Sequence, residues 1–158
     1  MIELKITKEI IAEAKKLYDF GILNNSYTQG EGNKCGALGE VLVREYYNAI
    51  QENTFDYDLI IDNKKIDVKT KRHNANLKPN SNWTMSLFAF NTKQKCDKYV
   101  FVRVLNDLSK GWILGEMNKE DYFESARYMR KGKIDPANGF RVKANCYNVA
   151  IQDLKECK

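Results

Sequence analysis

The chain has 158 residues, 43% of them hydrophobic and 11% aromatic, and a formal net charge of +5. That length suits one domain, residues 1–158, with a sizeable core, and the apolar content excludes a disordered chain. No apolar run approaches the roughly 20 residues needed to span a bilayer, and charges interrupt every apolar cluster of MIELKITKEIIAEAKK, so neither a membrane span nor a signal peptide is expected and a cytoplasmic protein is.

In chain order, the pattern predicts a first helix over about Lys8–Phe20, with Thr7 as N-cap, Gly21 just past its end, and a stripe of Ile10, Ile11, Ala14, Leu17 and Tyr18. A Gly/Asn-rich loop follows. A second helix is expected over about Asn33–Ile50, with Leu38, Val41, Leu42, Glu45 and Tyr46 along one side. Strands are predicted near Phe55–Ile61 and Lys65–Lys71, then a polar loop, RHNANLKPNSN, long enough to suggest function. Further strands are expected at Trp83–Phe90, Lys98–Leu105 and Gly111–Met117. A third helix, capped by Asn118, covers about Lys119–Arg130 and stops at Gly132; a last strand lies near Tyr147–Ile151. Helices around one mixed central β-sheet make the fold α/β or α+β.

The four cysteines, Cys35, Cys96, Cys146 and Cys157, form no C-x-x-C pair, and with a single histidine a structural zinc site is not expected; they read as reduced thiols. Charge is unevenly spread. From Lys64 to Lys95 there are eight basic residues and one acid, Asp67. From Glu40 to Asp62 there are six acids and one base, Arg44. An acidic segment abutting a basic one suits a metal site beside a polyanion track, though taken alone two solvated faces of opposite sign are the plainer reading. A second basic region, Arg127, Arg130, Lys131, Lys133, Arg141 and Lys143, reads as solvated surface.

The stretch YDLIIDNKKIDVKTK, Tyr57–Lys71, is the most informative. A two-residue turn at Asp62-Asn63, both tolerant of positive φ, sets Ile61 against Lys64, Ile60 against Lys65, Leu59 against Ile66 and Asp58 against Asp67. Alternation then puts Tyr57, Leu59, Ile61, Ile66 and Val68 on a core face, and Asp56, Asp58, Asp67, Lys69 and Lys71 on the other. Facing carboxylates about 5 Å apart repel unless something offsets the cost, and Mg²⁺, which takes oxygen ligands and keeps places for water and phosphate, would do so. Lys69 shares that face, where an ammonium binds a phosphate or assists attack by water. A merely solvated face with an Asp–Lys ion pair is the plainer alternative. The acid-x-Lys tripeptide occurs six times in the chain, but only at Asp67-x-Lys69 does it follow a strand with an acid in matching register.

Upstream, CGALGEVLVREYY places Gly36 and Gly39 one turn apart, letting a helix approach a sheet closely, with Glu40 next to them. The ordered set Glu40, Asp58, Asp67-Val68-Lys69 resembles the PD-(D/E)XK nuclease superfamily, most nearly its small phage- and bacteria-type members and more distantly archaeal Holliday-junction resolvases. The resemblance spans about residues 33–71. It implies a restriction-endonuclease-like core and Mg²⁺-dependent cleavage of DNA, with Mn²⁺ able to substitute. Asp58, Asp67 and the Val68 carbonyl would ligate the metal, Glu40 would join directly or through water, and Lys69 would be the catalytic lysine. Many such nucleases act as homodimers. This chain has Tyr57 where Pro is usual, Asp67 where Glu is commoner, and a strand where a helix normally follows the third core strand. Lys71, Arg72, Lys78, Lys93 and Lys95 are candidate phosphate contacts, His73 a candidate DNA-facing loop residue, and Gln94 lies in a turn within reach of the site. Two other classes fit the same letters: a non-catalytic nucleic-acid-binding protein, and a protein–protein interaction factor.

Overall fold

The computed structural model describes residues 1–20, 31–52, 54–74, 77–136 and 139–157; the expected helix stop at Gly21 lies outside them. The protein is mixed α+β, and its strands divide into two sheets rather than the single one expected. Six strands form the larger sheet in the order β1-β7-β6-β4-β3-β2: Ile2–Lys5 (β1), Ile50–Gln51 (β2), Leu59–Ile61 (β3), Lys64–His73 (β4), Lys98–Leu105 (β6) and Lys110–Asn118 (β7). The smaller sheet, β5-β9-β8, is built from Thr84–Phe88 (β5), Arg127–Met129 (β8) and Cys146–Ala150 (β9). Helices α1 (Lys8–Phe20), α2 (Glu31–Tyr47) and α3 (Lys119–Ser125) complete the described elements.

Alternation along the strands sorts residues into two cores. Ile66 and Val68 of β4, with Val100, Val102 and Val104 of β6, face α2 and meet Leu38, Val41 and Leu42. On the opposite face Tyr99, Phe101 and Trp112 meet Met85, Leu87 and Val149 of the smaller sheet and Tyr122 of α3. The order of layers is therefore α1 and α2, then the large sheet, then the small sheet with α3. α1 begins where predicted, with Thr7 Oγ1 accepting from Ile10 N at 3.3 Å. Its Ile10, Ala14 and Leu17 pack on the helix-side core, while Ile11 stays exposed. Among the described residues, no helix is long and apolar enough to cross a membrane.

Three departures from expectation have local causes. The N-terminal residues Ile2–Lys5 pair with β7, a strand hidden by its short, charged sequence. The second helix stops at Tyr47, where Asn48 turns to a φ of +50°, and Ile50–Gln51 leave it as a strand against β3. The third helix stops at Ser125, because Arg127–Met129 pair with Asn148–Cys146. Ladder bonds there override the helical propensity of the letters.

Candidate active site

The hairpin forms as the turn chemistry requires. Asp62 and Asn63 have φ of +48° and +60°, and the pairs Ile61–Lys64, Ile60–Lys65 and Leu59–Ile66 hold the expected register. β3 then ends. Asp58 N donates to Ile66 O at 2.9 Å, the same residue that Leu59 pairs with, so the chain swings away before a Leu-type pairing of Asp58 with Asp67 is made. Tyr57 consequently packs with the core between the sheets, not on one face with Leu59, Ile66 and Val68 as expected.

From Val68 onward β4 has β6 on one side only, among the described residues. Val68 N would be left without a ladder partner, and Asp58 Oδ2 accepts from it at 2.7 Å instead. One carboxylate is thus anchored at the fork where β3 leaves β4. Asp67, 3% exposed, points to the small-sheet side. Its Oδ1 accepts from Gln94 Nε2 at 2.9 Å, and its Oδ2 lies 2.7 Å from Lys69 Nζ, in an ion pair without a well-aligned hydrogen bond. Glu40 comes to the fork from α2. Gln51 Nε2 donates to its Oε2 at 3.4 Å and also to Asp58 O at 3.3 Å. Gly39 allows this approach: a Cβ there would lie 1.9 Å from Thr70 Oγ1.

The electrostatics follow from the crowding. Burial, then the neighbouring Asp67, raises the Glu40 carboxyl to about 7. Burial, then Asp67 and Glu40, lifts Asp58 well above the usual carboxylate range. Burial also raises Asp67, opposed by Lys69 and Gln94. Lys69 loses solvation, but Asp67 and Asp58 more than offset this and keep it an ammonium. Three acids and one lysine therefore share one partly dry site, with the acids repelling one another. Among the described residues no three His, Cys, Asp or Glu are gathered into a preformed metal cage. Asp58 Oδ2 is turned to Val68 N and Asp67 Oδ2 to Lys69. The donor set nonetheless fits a hard divalent cation: it is all oxygen and it carries mutually repelling carboxylates.

Glu40 has a measurable consequence. The unfolded carboxyl releases its proton near 4.5 and the folded one only near 7. Between those values the unfolded state binds fewer protons, so stability falls as pH rises. In EDTA, the fall in melting temperature from pH 5 to pH 7 is expected to be smaller in Glu40→Gln than in wild type. It is not abolished, because Asp58 and Asp67 act with the same sign.

No protein-family model matches this chain, and no curated protein matches it.

The remaining predicted residues divide. Gln94 does reach the site. It is held by the 3-10 turn Ala89–Lys93, with Gln94 N donating to Asn91 O and Asn91 Nδ2 donating to Gln94 Oε1 at 2.6 Å. That bond turns Nε2 toward Asp67. Lys119 Nζ also binds the Gln94 carbonyl. Lys93 and Lys95 are exposed on either side of Gln94, and Asp56 accepts from Lys95 N at 3.0 Å. Arg72 and Lys78 are exposed. Lys71 and His73 are elsewhere than expected. Lys71 lies between the sheets, donating to Ser86 Oγ at 2.8 Å, because it shares the face of β4 that β5 covers. His73 ends β4 rather than opening a loop, and is buried between Trp83 and Trp112, its Nε2 3.2 Å from Leu77 O. Gln51 and Asn91 hold Glu40 and Gln94 in place, and no local pattern marks either of them.

Proposed function

We propose that the protein is a metal-dependent nuclease that hydrolyses phosphodiester bonds in DNA on a restriction-endonuclease-like core. One observation carries it: Glu40, Asp58, Asp67 and Lys69 come together where β3 leaves β4, in the chain order of the PD-(D/E)XK resemblance, although Asp58 does not pair with Asp67. Two features of the fold support it. β6 runs parallel to β4 beside it, as a crossover requires. The crossing chain uses strand β5 and a 3-10 turn where the resemblance leads one to expect a helix, and that turn delivers Gln94 to Asp67.

Asp58, Asp67, Glu40 and the Val68 carbonyl are the groups that would hold Mg²⁺ or Mn²⁺. The bound ion would polarise the phosphate and lower the pKa of water. The protein's own contributions are positional. Asp58 is fixed by Val68 N, and Asp67 by Gln94, so two carboxylates keep their places without rearranging a loop. Lys69, held as an ammonium, places positive charge beside the oxygens of the phosphate under attack. Exposed Lys93 and Lys95 provide backbone contacts that position DNA without reading its sequence.

The test is direct. Linear, circular, single-stranded and branched DNA, and RNA, are incubated with the protein in Mg²⁺ or Mn²⁺. Cleavage of at least one DNA form, abolished by EDTA, is expected; no cleavage of any form in either metal overturns the reading. Size-exclusion chromatography with light scattering, with and without DNA, tests for a homodimer.

A further inference from the structure

The described residues between β8 and β9 form an arm tied together by backbone hydrogen bonds. Val142 N donates to Lys133 O at 2.8 Å, Asp135 N to Phe140 O at 2.8 Å, and Gly132 N to Val142 O at 2.7 Å. Its base is closed by a small core of Met129, Val142 and Cys146. The carboxylate of Asp135, 2% exposed, accepts from Arg127 and from Asn148 Nδ2. Asp135 is the only acid in residues 127–146, which hold six basic residues. That charge is therefore consumed inside the arm, and the outer surface is left strongly cationic.

The outer surface also has shape. An open groove of about 570 Å³ is lined by Lys131, Gly132, Phe140, Arg141, Val142 and Lys143. Phe140 remains 55% exposed at its wall, with Lys143 Nζ 5.9 Å from the ring centroid. Nearby Tyr128 and Ile134 are exposed as well. Cations set beside an exposed aromatic ring are the recognition chemistry of unpaired nucleotides: phosphates meet Lys and Arg while a base stacks on the ring. A duplex hides its base faces and would leave Phe140 unused.

We propose that this groove binds a single strand of nucleic acid, with Phe140 as the stacking platform and Lys131, Arg141 and Lys143 as phosphate contacts. It deepens the nuclease reading and rests on it for the link to catalysis. The base of the arm joins the candidate site through one turn: Ala89 N donates to Asn145 O at 2.9 Å, and the turn that Ala89 opens ends at Gln94, on Asp67. A strand lying on the arm is thereby delivered toward the fork between β3 and β4.

The experiment is fluorescence anisotropy with the full chain in EDTA, so that binding is read without cleavage. The probes are a labelled single-stranded oligonucleotide, a duplex of equal length, and poly-glutamate as a purely anionic competitor. Wild type is expected to bind the single strand more tightly than the duplex. Phe140→Ala is expected to weaken single-strand binding roughly tenfold with its salt dependence unchanged. Lys131→Ser/Lys143→Ser is expected to flatten the slope of log K against log salt by about 1.4. Each variant is checked by circular dichroism and melting. Equal binding of single strand and duplex, full affinity in folded Phe140→Ala, or displacement by poly-glutamate as effective as by oligonucleotide would each overturn the proposal. Binding through the arm with no cleavage in either Mg²⁺ or Mn²⁺ would remove the nuclease reading and leave the arm standing. Cleavage with arm variants that bind normally would do the reverse.

Discussion

Asp67→Ala and Lys69→Ala are each expected to reduce the rate of DNA cleavage on the order of 10³-fold or more, with the fold intact. The two fail differently. Asp67→Ala removes a carboxylate from the crowded fork, so the metal-free protein loses the repulsion that raises Asp58. It also strands the Gln94 amide and the Lys69 ammonium, which both face Asp67. Lys69→Ala leaves the three acids and their metal affinity in place and removes the positive charge beside the phosphate. Raising the Mg²⁺ concentration should therefore recover part of the activity of Asp67→Ala, and none of that of Lys69→Ala. Single-turnover cleavage across a Mg²⁺ titration, with melting curves to confirm folding, makes the distinction. Near-wild-type rates in both variants would place the chemistry elsewhere.

Gly39→Ala carries the largest expected effect on stability. A helix gains about 1 kcal/mol when an interior Gly becomes Ala. The new Cβ would, however, sit 1.9 Å from Thr70 Oγ1 and 3.0 Å from Thr70 Cβ, on a strand that β6 fixes from the other side. Turning the Thr side chain only exchanges one clash for another, since Cγ2 is already 3.1 Å away. Overpacking of this kind costs about 1–3 kcal/mol, and because helix and sheet must part the cost falls toward the upper end, so the steric cost wins and the net loss is about 1–2 kcal/mol. Gly36→Ala is the matched control: nothing lies within 4 Å of its Cβ, so it should stabilise. Thr70 Oγ1 is buried without a hydrogen-bond partner, so Thr70→Ala by itself costs little and should restore most of the stability of Gly39→Ala. Three thermal melts and the double variant decide it. Equal melting temperatures for Gly39→Ala and Gly36→Ala would contradict the close approach of α2 to β4.

The hairpin was legible because its determinants are local. Asp62-Asn63 accept positive φ, and the alternation of Leu59, Ile61, Ile66 and Val68 permits one register only. Asp58 was placed on the right side of the site but in the wrong relation to Asp67. Its carboxylate takes over a backbone N–H that a longer strand would have used, and strand length is not written in the letters. His73 and Lys71 were read as loop and phosphate contacts because a polar run resembles a surface. They are interior because β4 continues to residue 73 under a second sheet that only long-range pairing creates. Gln51 and Asn91 escaped notice for the same reason: Gln51 meets Glu40 eleven residues upstream, and Asn91 matters only through Gln94, whose partner Asp67 is 27 residues away. The six basic residues of 127–146 read as a solvated face until the arm's folding buried their one acid.

On the proposed function, a divalent cation balances the carboxylates crowded at the fork. Asp58→Asn tests it most directly, since the side-chain oxygen of Asn still accepts from Val68 N and only the charge is lost. The measurement is the melting temperature in EDTA and in increasing Mg²⁺ or Mn²⁺. A ligand that binds only the folded state raises it by mass action. The account predicts that wild type melts higher with added cation, and that Asp58→Asn is at least as stable as wild type in EDTA yet gains little from the ion. A wild type indifferent to both cations, or an Asp58→Asn variant that responds as wild type does, would contradict it.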